Sequence, residues 1–516
     1  MSAPRSRRRQ GRAIVAGAII AAWLGGLGTL LYREYLDPTR DRLADAAMRV
    51  QPSALFFTAL QADQVIGYGS STVDTTVLQV KLDEVLRVEL PVGGRAQHAS
   101  AQSRAQLSRT LSLQSFTLQV NAESGAIRTL GEWESDSVFR FVAHSGGQRP
   151  DTQRVVTASP IYFPSSVPMA VMLSLRPAVG RALTLRVADP IGMTVRDARV
   201  RLVAETLFVV NDSAVFDSVS KRWQEARPDT VRAWKLDPGE ERTLVAGWVD
   251  AQGRLIDGVQ LGTVQLQRRP YEVAVQNWRA RPPARVGDAR DILEQTAIAA
   301  NRHISRAVDA MAYRLGGVDL SRFDLDGPRQ SVHEDTLRVR REPAAQLVAD
   351  YALPDGARAQ FPTETGPEPL LESTDPEIVA LARTLAGEDT VPEVVARRIN
   401  DWVHTTVRKR VTFGIPSARQ VLRRKVGDCN EHTQLYVALA RAAGIPARIA
   451  AGLVHIDGKF YYHAWPEIRL RDWVAVDPTL GQFPADAAHL RFVSGGLGRQ
   501  GDLLGLIGRL TIDVLN

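Results

Sequence analysis

The chain has 516 residues and a single cysteine; 44% of its residues are hydrophobic and 23% are charged. This composition is typical of a globular protein with about two to four domains. It excludes a disulfide-stapled miniprotein, a disordered chain and a multi-span transporter. Five arginines lie within residues 1–12, and removing those five lowers the net charge from +7 to +2. The rest of the chain therefore lacks the basic surplus that nucleic-acid binding requires.

An apolar segment follows this Arg-rich tip, because residues 13–32 contain no charged side chain. A membrane-spanning helix needs ~20 such residues, whereas the apolar part of a cleaved signal peptide is shorter. The arginines before the segment predict that the tip, residues 1–12, lies in the cytoplasm. Arg7 and Arg8 leave a twin-arginine signal as an alternative. We therefore expect a single-pass anchor in the cytoplasmic (inner) membrane, with the bulk of the chain in the periplasm or outside the cell.

Apolar and polar residues alternate between about Leu55 and Gln276, most clearly at 77–82, 115–120 and 183–187. Such alternation predicts half-exposed antiparallel strands, and turn residues separate the segments. We therefore expect a β-rich extracytoplasmic region over residues 55–276. No chemical constellation is visible in it, which leaves a binding or positioning role and a plain spacer as interpretations. A linker rich in arginine and proline and a mixed connecting region, residues 286–349, follow it.

Two short motifs suggest cofactors but lack the residues that the chemistry needs. The Asp-Leu-Asp-Gly run at 324–327 has Arg322 and His333 where a calcium loop would require acids. The glycine-rich run at 496–501 has no surrounding βαβ unit for a dinucleotide. We therefore predict no cofactor and no metal.

The only cysteine lies at the start of a predicted helix. Leu435, Ala438, Leu439 and Ala442 are spaced as one buried helix face, and Gly444 followed by Pro446 ends the pattern. Cys429 therefore falls in the first turn, where free backbone N–H groups and the helix dipole favour a thiolate. This position favours a nucleophile over the common role of a free cysteine as a small buried hydrophobe.

Strand register places two possible partners for this thiol. The Asp-Gly pair at 457–458 predicts a tight hairpin that pairs 450–455 with 459–468. A second reversal near residue 470 leads into 473–478, and a turn centred there sets His463 opposite Asp477 on one face of the sheet. An aspartate in that position can hold the imidazole in one tautomer. A slip of one residue would separate the two side chains, so the register decides the prediction.

Other histidines compete for this role. His432 lies one helical turn after Cys429, and we interpret it as a solvated or capping residue. His455 and His489 have no acid in register and are predicted to be surface residues.

Four motifs around these residues resemble the transglutaminase-like superfamily. They are Gly-Asp-Cys-Asn-Glu-His at 427–432, the helix end at 438–448, Tyr-His-Ala-Trp-Pro-Glu at 462–467 and Val-Asp-Pro-Thr at 476–479. The resemblance covers about Glu372 to Arg491. It implies an α+β, papain-like domain, which we bound at 350–492 with a C-terminal tail at 493–516, in which the Cys helix packs on an antiparallel sheet. It also implies Cys429 as nucleophile, His463 as base and Asp477 as the residue that orients His463.

The sequence thus predicts thiol-dependent acyl transfer or hydrolysis on a carboxamide, with a protein or peptide as the substrate. The alternative is a membrane-anchored scaffold or binding module that keeps this fold without turnover.

Overall fold

A computed structural model describes residues 50–515. The residues not described within this range are 62, 93–94, 124, 146–149, 158–159, 175–176, 240–243, 261–263, 282–295, 306, 356, 369, 412–416, 496–498, 500–502 and 504–505. No helix in the described part is long and apolar enough to span a membrane. The span predicted at 13–32 lies outside the described residues.

The N-terminal half is one antiparallel sheet of fourteen strands whose order runs from β8 back to β1 and then from β14 back to β9. Sequence neighbours are paired except β8 and β9, which form the two ends of the sheet as described, and β1 pairs with β14. The three alternating segments noted in the sequence overlap β3, β5 and β9. The strands are β1 (Ser53–Gln61), β2 (Gln64–Thr75), β3 (Gln79–Val92), β4 (Arg95–Ser108), β5 (Leu113–Ala122), β6 (Gly125–Ser135), β7 (Val138–His144), β8 (Asp151–Val156), β9 (Ala182–Asp189), β10 (Thr194–Asp217), β11 (Arg222–Asp237), β12 (Ala246–Asp250), β13 (Leu255–Gln260) and β14 (Val264–Arg269).

The sheet is rolled, so that its two ends share one apolar core. Phe139 and Phe141 of β7 belong to the same cluster of buried residues as Val187 of β9 and Val200 of β10. Helix α1 (Val167–Ser174) packs into that cluster, and α2 (Asn277–Arg279) follows the last strand. We refer to β1–β14 as the rolled sheet. The alternating pattern produces it because each strand buries one side.

The C-terminal half is mixed. Its helices are α3 (Pro362–Thr365), α4 (Pro376–Ala386), α5 (Pro392–Thr406), α6 (Ala418–Arg424) and α7 (Cys429–Ala443). Its strands are β15 (Ile298–Ala299), β16 (Ala310–Gly316), β17 (Gln330–His333), β18 (Thr336–Arg340), β19 (Arg408–Lys409), β20 (Val426–Gly427), β21 (Ala447–Ile456), β22 (Lys459–Arg469), β23 (Trp473–Ala475), β24 (His489–Ser494) and β25 (Thr511–Val514).

Helix α7 is the centre of this half. It is buried over most of its length, and it packs on α4, α5, β21 and β22. Its sheet has the order β15-β22-β21-β24, with β23 also paired to β22. The Cys helix thus packs on an antiparallel sheet, as the sequence predicted. The domain is α+β and follows a β-rich N-terminal region.

The rolled sheet contacts the segments that lead to α7. The Gln97 side chain donates to the carbonyl of Val411 at 2.8 Å, and Arg424 donates to the carbonyl of Glu123 at 2.7 Å. Leu370 is buried in the core of the rolled sheet, and its backbone N–H donates to the carboxylate of Asp151 at 3.2 Å. Polar and apolar contacts together therefore join the two halves.

We expect Asp151→Asn to stabilise the protein at alkaline pH. Burial raises the pKa of Asp151 to about 6, and the nearby Glu372 adds to the effect. A carboxyl whose pKa is raised on folding contributes stability at low pH, and this contribution is lost as the pH rises through about 6. The asparagine keeps an oxygen to accept from Leu370 but cannot ionise. Urea unfolding should show a gain of ~1 kcal/mol at pH 8, after allowance for partial exposure, and none at pH 4. An equal gain at both pH values would contradict this account.

Candidate active site

The start of α7 is fixed by a reciprocal cap. The Asp428 side chain accepts from the backbone N–H of Asn430 at 2.9 Å, and the Glu431 carboxylate accepts from the backbone N–H of Asp428 at 3.0 Å. Gly427 is required beside this cap, because a Cβ there would collide with the Glu431 side chain. The predicted helix start at Cys429 is confirmed, and the cap sets the direction in which the thiol leaves the helix.

The helix start occupies a gap at one edge of β22. On that edge β22 pairs with β15 only at 459–460 and with β23 only at 467–469, within the described residues. Between these two contacts, the Thr433 hydroxyl donates to the carbonyl of Ala464 at 3.0 Å, and the backbone N–H of Ala464 donates to the Cys429 sulfur. The half-buried thiol is therefore held against the residue that follows His463.

The hairpin that carries His463 has the predicted register. Ile456 pairs with Lys459 and Gly452 pairs with His463, while Asp457 and Gly458 both have positive φ, as a type I′ turn requires. The His463 side chain is 7% exposed. The turn chemistry alone therefore places His463 on the sheet.

The second hairpin differs from the prediction. Glu467 pairs with Ala475, so the register is displaced by two residues, and β23 ends before Asp477. Asp477 instead begins a turn closed by a bridge to Gln482. A displacement of two residues keeps side chains on the same face. For that reason the Asp477 carboxylate still accepts from His463 Nε2, at 2.8 Å.

Asp477 is fully buried, and both of its oxygens are used. Oδ1 accepts from the backbone N–H groups of Thr479 at 2.7 Å and Leu480 at 3.0 Å. Burial would raise the pKa of this carboxyl, but His463 and His489 hold it well below its ordinary value. Asp477 is therefore ionised and acts only as an acceptor.

The expectation of a thiolate at Cys429 is wrong for the free protein. Burial raises the pKa of the thiol well above its ordinary value, and the charges of Asp428, Glu431 and Asp477 raise it further. The backbone N–H of Ala464 acts in the opposite direction without reversing the shift. Burial first, and these carboxylates second, therefore favour the protonated form of the resting thiol.

The prediction that His489 is a surface residue is also wrong. Its side chain is fully buried, and its Nε2 lies 3.1 Å from the same Asp477 oxygen that accepts from His463. Its Nδ1 lies 2.9 Å from Asp486 Oδ1. Asp486 follows the turn that begins at Asp477. No periodicity in the sequence indicates that the chain after this turn brings His489 back to Asp477. The spacing Asp-Ala-Ala-His at 486–489 is the one signal that sequence reasoning could have used.

Two further histidine predictions need correction. His432 is fully buried rather than solvated, and its ring nitrogens face the carbonyls of Asp428 at 2.6 Å and Val407 at 3.1 Å. It therefore braces the helix start, which agrees with the capping part of the interpretation. His455 is 8% exposed rather than a surface residue, and its ring packs against Phe460.

One group of side chains in the described part of the chain has the spacing that a metal ion could bridge. Single atoms of His463, Asp477 and His489 lie within 4.8 Å of one another. The distances of 2.8 and 3.1 Å to one carboxylate oxygen are those of hydrogen bonds from both rings. We assign the group as a hydrogen-bonded network.

These elements define an α+β domain in which a cysteine helix packs on a sheet that carries a histidine–aspartate pair. Residues 379–478 match the family model of the transglutaminase-like superfamily. The chain therefore carries a transglutaminase-like domain, and the resemblance predicted from the motifs is confirmed. No curated protein matches the chain.

Similar solved structures include a candidate cysteine protease from Cytophaga hutchinsonii, with 16% identity, a TM-score of 0.27 and coverage of 40% of this chain and 86% of that one. A beta-barrel-like protein of a domain of unknown function from Brucella abortus has 8% identity, a TM-score of 0.29 and coverage of 42% and 96%. A candidate protease from Parabacteroides distasonis has 12% identity, a TM-score of 0.18 and coverage of 57% and 68%. Likenesses this weak do not assign the site.

Proposed function

We propose that this protein is a thiol-dependent acyltransferase or hydrolase that acts on a carboxamide of a protein or peptide. Cys429 is the nucleophile, His463 the base and Asp477 the residue that orients the base. The observation that carries the proposal is the hydrogen bond of 2.8 Å between His463 and the buried Asp477. The next residue, Ala464, donates its backbone N–H to the Cys429 sulfur.

The chemistry follows from these contacts. Asp477 accepts from Nε2 of His463, which leaves Nδ1 to take the proton of the Cys429 thiol as the sulfur attacks the carbonyl carbon. The C–N bond of the amide then breaks, the imidazolium returns its proton to the leaving amine, and a thioester remains on Cys429. Water releases an acid from this thioester, or a primary amine forms a new amide. Proton transfer accompanies the attack because the resting thiol is protonated.

The start of α7 also offers a donor for the negative oxygen that forms during attack. The cap uses the N–H groups of Asp428 and Asn430. Cys429 provides the next N–H at the helix start, beside its own sulfur. Such a backbone donor stabilises the tetrahedral intermediate without reorganisation.

The predicted anchor at residues 13–32 would hold this site at the outer face of the cytoplasmic membrane. Substrates would then be peptides or proteins outside the cytoplasm. The uncharged segment of ~20 residues supports this location.

A trapping experiment tests the proposed function. The purified protein is incubated with a panel of glutamine-containing peptides and glycine ethyl ester, quenched in acid and analysed by mass spectrometry. We expect a thioester on the peptide that contains Cys429, together with free acid, ester adduct or both. An adduct would favour transfer, and acid alone would favour hydrolysis.

Protein alkylated with iodoacetamide is the matched control, since Cys429 is the only cysteine, and it should form no product. A panel that yields neither thioester nor product, with folded and unmodified protein, would favour the non-catalytic scaffold.

A further inference from the structure

The Asp477 carboxylate also accepts a hydrogen bond from a second histidine, His489. The proposed chemistry of the triad does not use this histidine. His489 begins β24, and the pairing register of β24 with β21 shifts between Ala451 and Gly452. Gly452 permits this approach, because a Cβ there would collide with the carbonyl of Leu490. On its other edge, β21 pairs with β22, and there Gly452 pairs directly with His463. A local irregularity of the sheet therefore brings His489 next to the pair.

The partners of His489 fix its protonation state. Asp486 Oδ1 accepts from the backbone N–H of Ala488 at 3.1 Å, and its Oδ2 accepts from Gln482 at 3.0 Å. Burial would raise the pKa of Asp486, but His489 lowers it to about 2. Backbone N–H groups donate to both carboxylates, so these oxygens are acceptors. Ionised carboxylates can only accept, and both ring nitrogens of His489 therefore donate.

From this geometry we infer that His489 is a protonated positioning residue of the site, clamped between Asp477 and Asp486, which steadies the Asp477 carboxylate and offsets its charge beside the thiol and His463. The inference rests on the proposed roles of Cys429, His463 and Asp477. His489 acts through Asp477 and is not itself a catalytic residue. Asp486 is the second positioning residue, because it holds the far side of the ring.

The surroundings of His489 support a buried cation at this point. The His463 ring lies 5.8 Å away between centroids, and the Trp465 ring is nearly perpendicular to the His489 ring, with their centroids 5.2 Å apart. From other elements, Arg329 donates to the carbonyl of Asp486 at 2.7 Å, and Tyr313 donates to the carbonyl of Ala487 at 2.8 Å. Arg329 forms an ion pair with the buried Glu342. The carboxylates of Asp477 and Asp486 pair with His489 instead. Burial acts to lower the pKa of His489, and the bonds to Asp477 and Asp486 raise it overall.

The clamp has a consequence for the thiol. The negative charge of Asp477 raises the pKa of Cys429, and a cation on the same carboxylate opposes that effect. Removing the cation therefore makes the thiol harder to ionise.

The test measures iodoacetamide alkylation of Cys429 against pH, in the full chain and without any substrate. We expect His489→Gln, whose amide can still donate to Asp477, to move the midpoint of the alkylation profile up by ~1 pH unit. His455→Gln is the matched control, because His455 is a buried histidine of the same sheet for which the described contacts include none to Asp477. We expect that control to lower the thermal midpoint without moving the profile. Equal profiles for wild type and His489→Gln would overturn the inference.

Nitrogen NMR of the wild-type protein gives a second measurement that does not depend on how the variant folds. Both ring nitrogens of His489 should carry protons at pH 8, and a single protonated nitrogen would overturn the inference. Neither measurement needs turnover. If the peptide panel gives no product but both results are as expected, the proposed function fails while the clamp stands.

Discussion

Replacing Cys429 by alanine is expected to abolish product formation, with a loss of ~10⁵-fold or more, because no thioester can form. The Asp428–Glu431 cap is untouched by this substitution, and the side chain removed is small and half-buried. The thermal midpoint should therefore stay within a few degrees of the wild-type value. Activity is measured with any peptide that the panel identifies.

Cys429→Ala is also inert to iodoacetamide, since no other cysteine exists in the chain. This provides a check that the variant is pure. Product formation at more than a hundredth of the wild-type rate would remove Cys429 from the reaction and leave the transglutaminase-like domain without an assigned nucleophile.

Replacing Asp477 by asparagine should lower kcat by ~10⁴-fold, the size seen when the aspartate of the best-studied triad is changed in the same way. An asparagine turns one acceptor oxygen into an amide donor, which then faces a ring nitrogen or a backbone N–H group. His463 would be forced into the tautomer that cannot take the thiol proton. Since the folded protein holds the pKa of Asp477 low, its charge stabilises the fold above the ordinary aspartate range, and this stabilisation is lost as pH falls. The variant should therefore also unfold at a lower temperature at pH 7.

Asp472→Asn is the matched control for this substitution. Asp472 lies in the turn between β22 and β23, so the same chemical change there should alter kcat less than threefold. Glu467 cannot take over from Asp477, because Arg448 at 2.6 Å and Arg491 at 3.1 Å already bind its carboxylate. A loss of less than tenfold for Asp477→Asn would place the orienting residue elsewhere.

Local chemistry made parts of the site predictable from the sequence. The Asp-Gly turn sets the register of β21 and β22 by itself, and a capped, periodic helix sets the position of Cys429. Period-two alternation likewise indicates the strands of the rolled sheet, since each strand buries one face.

The other predictions failed because they depend on interactions between segments that are distant in the sequence. The pKa of the thiol depends on three carboxylates and on burial, and their sum cannot be obtained from position in a helix. His489 enters the site through an irregular turn and a shifted strand pairing, neither of which leaves a repeating pattern.

The contact between Gln97 and Val411 joins residues that are 314 positions apart. Through it, the rolled sheet supports the segment that leads to the nucleophile. Just before Val411, β19 pairs with β20, and the N–H of Arg410 donates to the carbonyl of Gly427 at 2.9 Å, two residues before Cys429. A fragment cut at the linker would leave these polar groups and Leu370 exposed to water. The two halves therefore act as one unit. Substitutions in the rolled sheet at residues that contact the C-terminal half, such as Gln97, should therefore change the position of the Cys429 sulfur.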